Sequence, residues 1–506
     1  MKRASSRFGS PLFALLAIVA SPAAADTLRE ALARAYRDNP TITSSRAQQR
    51  AVDENVPIAR AAGRPTLSTN GGLVDNYLRS GNSFTTPERI AQAQVALNVP
   101  FYSGGAVRNS VRAAETRVEA GQIGLRGTEA SLFTEVVSAY NDVIRDEAIV
   151  GLNAQNVRVL ETNLQATRDR FQVGDLTRTD VAQSEARLSL ARAQLQRVEA
   201  TLIASRENYV RLVGNAPGTL EAPPALPNLP QSPDQAVEVA LRDNPTLLAA
   251  LRQRDATEYD VRVARASRLP TLGVGATGSY VNYLGSLGSG TGLGVGQTGT
   301  SAGVGLNVGL PLFQGGRPAA QVRQAQAQRA LAIENATAAE RQVIAAARSA
   351  YAIWQSSRQV ITSSEQAVSA NRLSLEGVRA ENSVGNRTIL DILNAEQELL
   401  NSQVTLVTAR RDAYVAGFSL LAAMGEAEAR DLGLDAGPLY NPGDNYRAVR
   451  GRISDFADGS AAQPIAPTTS AVPAQNATVT RPLDPMLDSG VDRSAPLTTG
   501  ENAPNR

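Results

Sequence analysis

The chain repeats itself, and that repeat limits what it can fold into. Arg37-Asp38-Asn39-Pro40 returns as Arg242-Asp243-Asn244-Pro245, and Arg64-Pro65-Thr66-Leu67 as Leu269-Pro270-Thr271-Leu272, both 205 residues later. Further on the offset is 211. Pro100 matches Pro311, Gly104-Gly105 matches Gly315-Gly316, Ala139-Tyr140 matches Ala350-Tyr351, Gly174 matches Gly385, Asp180 matches Asp391, and Val213-Gly214 matches Met424-Gly425. The six-residue change of register falls between Leu67 and Pro100, so one insertion in one loop accounts for it. Self-similarity at a fixed period means one structural unit used twice. The 506 residues are therefore not several unrelated domains.

What surrounds the repeats is of other kinds. Residues 1–25 read as a secretory signal peptide: Lys2, Arg3 and Arg7 precede a short apolar run from Pro11 to Ala20, and Ala23-Ala24-Ala25 supplies a cleavage site. The run is too short to span a bilayer as a helix, which takes about 20 residues. The first repeat then covers 26–216, a linker with six prolines covers 217–233, the second repeat covers 234–432, and 433–506 is a C-terminal extension. From about 457 Pro, Ala, Ser, Thr and Asn dominate, and disorder is expected.

Each repeat reads as a short helix, a second helix, two strands and two very long helices. Proline disfavours a helical residue before it, so Asn39-Pro40 and Asn244-Pro245 separate the first two helices. Long helices are expected at about 105–171 and 177–213, and at about 316–382 and 388–424, turning at Gly174 and Gly385. A rod of about 65 residues is ~100 Å long. The returning helices carry heptads: Val181, Leu188, Leu195, Leu202 and Tyr209, then Ile392, Leu399, Leu406, Ala413 and Leu420. A seven-residue apolar period implies a left-handed supercoil.

The strands, about 66–101 and 271–313, alternate in character. Ala91, Ala93, Val95, Leu97, Val99 and Phe101 interleave with Gln92, Gln94, Ala96, Asn98 and Pro100. Ala302, Val304, Leu306, Val308, Leu310 and Leu312 interleave with Ser301, Gly303, Gly305, Asn307, Gly309 and Pro311. Leu272, Val274, Ala276 and Tyr280 alternate in the same way, and Leu67 to Leu78 is a weaker candidate. One face apolar and one small or polar, over about 10 residues, is the pattern of a membrane barrel with lipid outside and water inside. Four strands cannot close such a barrel, and an open edge in lipid leaves backbone groups unsatisfied, so several chains must share it.

Composition closes off most chemistry. With no Cys and no His there is no disulfide, thiolate nucleophile, Cys/His metal site or imidazole base. No cofactor, metal or enzymatic activity is expected. Net charge is +2, close to −1 without the leader, and no basic block supports nucleic-acid binding.

With these residues in place the sequence resembles the TolC family of outer-membrane efflux and secretion channels over about 26–432. The carrying motifs are RDNP near each repeat start, NVPFYSGG and VGLPLFQGG after the strands, and the tips Phe171–Asp180 and Ser383–Asp391 with the following ILNAEQELL. The resemblance implies a mainly α fold with membrane β: a homotrimer in outer-membrane lipid, with a twelve-stranded barrel continued by a tunnel of twelve helices. It also implies a periplasmic adaptor and an inner-membrane transporter as partners. By motif position Arg387 is the latch arginine, reaching Thr179 and Asp180, and Asp391 is the constriction carboxylate. Asn382 stands where a latch tyrosine is often found, and Asn394 where a second acidic ring can occur. Val173, Gly174, Asp175 and Leu176, with Val384, Gly385 and Asn386, form the adaptor-docking tips. A non-conducting coiled-coil scaffold of the envelope is the alternative. It explains the helices but not the alternating strands.

Overall fold

A computed structural model describes residues 26–78, 87–288, 294–434, 439–459, 461–479, 481–485 and 487. The expected signal peptide, 1–25, lies outside the described residues. The first repeat folds as α1 (Leu28–Asp38), α2 (Pro40–Asp53), α3 (Asn55–Ala61), β1 (Thr66–Asp75), β2 (Arg89–Ser103), α4 (Ala106–Gln172) and α5 (Arg178–Val213). The second folds as α6 (Pro233–Asp243), α7 (Pro245–Ala266), β3 (Thr271–Asn282), β4 (Thr298–Gly309), α8 (Arg317–Ser383) and α9 (Ile389–Met424), and α10 (Gly443–Val449) follows.

The two repeats match in length. α4 and α8 each have 67 residues, and α5 and α9 each have 36. At about 1.5 Å per residue the longer rods reach ~100 Å. They differ at one place. α7 runs unbroken for 22 residues where the first repeat is split at Glu54 into α2 and α3. Pro57 stands in that stretch. It has no N–H to donate to Asp53 and its ring crowds the preceding turn.

The repeated RDNP motif is a corner joint. Asn39 accepts from Thr41 N at 2.8 Å, capping α2, while its amide donates to Leu212 O at 2.8 Å, at the far end of α5. Asn244 does the same, accepting from Thr246 N at 2.9 Å and donating to Ala423 O of α9 at 2.8 Å. The following Pro40 and Pro245 begin each helix, where an N–H is not needed. One asparagine thus fixes where a short helix starts and where the long hairpin ends.

Packing follows the heptads. Leu188, Leu195, Leu202 and Tyr209 are buried against α4, and Ile392, Leu399, Leu406, Ala413 and Leu420 are buried in the second half. The strongest core lies where α1, α4, α5 and the stretch after α9 meet, around Phe133, Val136, Tyr140 and Tyr209. Among the described residues no helix is long and apolar enough to cross a membrane.

The four strands form one antiparallel sheet in the order β1-β2-β3-β4. Its central pairing, β2 with β3, joins the two repeats. β1 and β4 are left as edges.

The C-terminal extension departs from expectation. Disorder is expected from about 457, yet residues 475–479, 481–485 and 487 run as a non-helical segment on the long helices, with Leu487 only 2% exposed, while 461–474 are almost wholly exposed. Composition shows that such a segment cannot build its own core. It does not show that another surface supplies one.

Candidate functional site

The sheet register sorts residues into rows. Leu67 faces Leu97, Leu97 faces Ala276 and Ala276 faces Val304, an apolar row across all four strands. Asn70, Gln94, Ser279 and Ser301 form a polar row on the other face, with Ser279 and Ser301 hydroxyls 2.7 Å apart. The apolar side is not covered within the chain: Leu67 is 71%, Val304 80% and Leu306 67% exposed. Large exposed apolar area on a sheet marks a surface meant for lipid or for another chain.

The far ends of the rods are built by one local design used twice. Gly174, at φ +81°, ends α4: its N–H donates to Phe171 O at 3.0 Å and Asp175 N to Arg170 O at 2.9 Å. Gly385, at φ +83°, ends α8 with Asn382 O at 3.0 Å, and Asn386 N donates to Glu381 O at 2.9 Å. This is the Schellman arrangement, and it needs the left-handed backbone that glycine adopts freely. Each tip exposes a valine, Val173 at 81% and Val384 at 71%. Leu176 is half-buried.

Both returning helices start on a capping box. Asp180 Oδ2 accepts from Thr177 N at 2.9 Å and from its hydroxyl at 2.7 Å. Asp391 Oδ2 accepts from Thr388 N at 2.9 Å and from its hydroxyl at 2.8 Å. The T-x-x-D spacing of both segments carries this signal, which the reading of Asp391 by position alone passed over. For Asp391 the Thr388 backbone bond, then its hydroxyl, and lastly the Arg387 charge hold the carboxyl below its ordinary range. The Thr177 hydroxyl and backbone N–H do so for Asp180.

The latch residues sit differently from expectation within one chain. Arg387 Nε donates to Glu381 Oε2 at 2.7 Å, and Asn382 Nδ2 donates to the Arg387 carbonyl at 2.7 Å. Arg387 is thus held by its own hairpin, and Asp180 by Thr177. Thr179 is exposed on the first turn of α5. Near the tips Arg187 Nη2 crosses from one hairpin to the other and donates to Asn394 Oδ1 at 2.8 Å; farther back Arg411 of α9 meets Asp142 of α4 at 2.8 Å and donates to the Ser138 hydroxyl at 2.6 Å.

Two ion pairs behind the tips escaped the sequence reading. Arg168 of α4 meets Glu185 of α5 at 2.7 Å, and Arg379 of α8 meets Glu396 of α9. Both members are 211 residues apart, so the repeat offset itself would have found them. Burial raises the Glu396 carboxyl and the Arg379 charge opposes the rise.

The comparisons with known proteins agree with this geometry. The family model described as "Outer membrane efflux protein" matches residues 31–215 and 236–426, one segment per repeat. The chain is 36% identical over 428 residues to the outer membrane efflux protein BepC of Brucella suis, covering 85% of this chain and 91% of that protein. It is 26% identical over 424 residues to the outer membrane protein TolC of Escherichia coli, covering 81% and 84%. The solved structure of the Campylobacter jejuni CmeC outer membrane channel superposes with a TM-score of 0.69 at 15% identity, covering 84% of this chain and 89% of that one, which shows a common fold. The twice-used helical hairpin, the four-stranded sheet with its uncovered apolar rows and the two-segment match together make this chain a member of the outer membrane efflux protein family.

Proposed function

We propose that three copies of the chain form a passive exit duct across the outer membrane, serving tripartite efflux or type I secretion. The observation that carries this is the sheet with two free edges and an uncovered apolar face. In lipid every strand edge must be paired, and three such sheets joined β4 to β1 make a twelve-stranded barrel. Twelve long helices then continue it as a tunnel, whose hairpin tips close the periplasmic end and receive a periplasmic adaptor and, through it, an inner-membrane transporter. The exposed Val173 and Val384 at the ends of equal rods support that docking role.

At the closed end Asp391 would recur three times around the axis. Its capping bonds both use Oδ2, which leaves Oδ1 for a cation or a neighbour's donor. Three converging carboxylates attract cations. Arg387 would serve as the latch to Thr179 and Asp180 on the other hairpin, exchanging Glu381 for that partner. The mass of the detergent-solubilised protein, with its conductance in a planar bilayer, tests the whole reading. A trimer that conducts is expected; a monomer that does not conduct would overturn it.

A further inference from the structure

The C-terminal segment touches both hairpins. Gln475 N donates to Glu207 Oε1 at 3.0 Å, on α5. Arg206 of α5 donates to Asn476 O at 2.6 Å and Thr478 O at 2.9 Å, while its Nη2 also meets Glu147 of α4 at 2.6 Å. Leu483 lies over Gly151 of α4. Asp484 then accepts from Arg410 of α9 at 2.7 Å, and the Leu487 carbonyl accepts from Gln403 of α9 at 3.1 Å. The Leu487 side chain is buried in a cluster with Leu152 of α4, Leu375 of α8 and Leu399 of α9.

The seat is specific to this place. Glycine weakens a helix interior, yet Gly151 stands in mid-α4. A Cβ there would lie 3.1 Å from Leu483 Cδ2, so the missing side chain clears the path. At the repeat offset Glu147, Gly151 and Arg206 correspond to Arg358, Thr362 and Gly417. The repeat itself therefore does not account for these residues, and the segment lying on them does.

We propose that the segment carrying Gln475, Asn476, Thr478, Leu483, Asp484 and Leu487 is an intramolecular strap. It ties hairpin α4/α5 to hairpin α8/α9 and limits how far they move apart. The strap holds by carbonyls on one arginine, hydrogen bonds to Glu207 and Gln403, one ion pair and two leucines, so it can be released without unfolding the rods. Its consequence for gating rests on the duct reading: widening the tunnel end requires the hairpins to shift against each other, and the strap opposes that shift.

The test uses the full chain and the variant Gly151→Leu, which improves α4 as a helix while taking the space of Leu483. Leu483→Asp with Leu487→Asp is the second variant. Amide hydrogen exchange of the peptide spanning the strap is expected to be slow in the parent and about tenfold or more faster in both variants, with α4 protection kept. In planar bilayers both variants are expected to open more often at rest. A strap peptide that exchanges in the parent as fast as an unstructured one would overturn the proposal. So would strap release that leaves resting conductance unchanged in a conducting protein. A parent that never conducts would instead sink the duct reading, and the exchange result would still decide whether the strap is docked.

Discussion

In the proposed trimer the charges at the hairpin ends would have two duties each. Asp391 caps α9, and in the proposed trimer it also lines the narrowest point. Asp391→Asn separates the duties, because an Asn oxygen can still accept from Thr388. The variant is therefore expected to fold with its cap intact and to lose cation preference. Unchanged selectivity in single-channel recordings would remove the ring role. Arg387→Ala frees Glu381 and, in the trimer, the latch partners; a raised resting conductance is expected, and a channel as tightly closed as the parent would count against the latch. A different carboxylate reports on pH. Burial raises Glu129 of α4 to about 7, helped by Glu428 and Asp431, against the Ala429 N–H bond and the Arg46 charge. A raised acid binds its proton more tightly folded than unfolded, so stability falls as pH rises from the ordinary carboxylate range through about 7. Glu129→Gln mimics the protonated form. It is expected to be more stable than the parent by about 1–3 kcal/mol above neutrality, with the gain shrinking toward acid. Thermal unfolding at the two ends of that range measures it, and a pH-independent difference would refute it.

The corners between strands and rods show how equal sequences meet unequal surroundings. Gly104 (φ +62°) and Gly315 (φ +56°) are repeat mates. A Cβ on Gly104 would lie 2.8 Å from Leu269 Cβ and 2.9 Å from Ala266 O at the end of α7, whereas a Cβ on Gly315 meets nothing within 4 Å. In the isolated monomer, where no second subunit covers that corner, Gly315→Ala should cost only the backbone strain, about 1–2 kcal/mol. Gly104→Ala adds a clash with packed backbone, about 1–3 kcal/mol more. Denaturant unfolding of the two variants as monomers compares them, and equal losses there would show that α7 does not brace the corner. Elements of this kind were legible from the repeat: the glycine pairs, the heptads and the alternating strands each announce a period or a stop. Pro57 was equally visible, yet the break it makes between α2 and α3 went unread. The partners of Arg387 and the seat of the tail were not legible. Glu381 is a neighbour only because the Schellman turn folds it back, and Gly151 becomes meaningful only once Leu483 lies on it.

At the scale of the molecule the two repeats are alike in length and unlike in cover. α4 packs against α7 inside the chain, and α7 in turn meets α8. The α8 side, including the corner at Gly315, is largely exposed. In the proposed trimer the next subunit's α2 and α3 take the place that α7 takes beside α4, so the assembly alternates one covalent and one non-covalent version of the same joint. The matched rods of 67 and 36 residues then carry a demand on reach. A closure made of six leaves works only if all six end at one height. Removing one heptad from both α8 and α9 would shorten every second leaf by ~10 Å while keeping the supercoil in phase. That channel is expected to leak at rest, and the same cut in α4 and α5 as well should restore the seal. If the singly shortened channel stays shut, closure does not depend on level ends. If it leaks, the confinement of the length change to the strand loop is a record of selection against unequal reach: the segment between Leu67 and Pro100 was free to drift, and the rods were not.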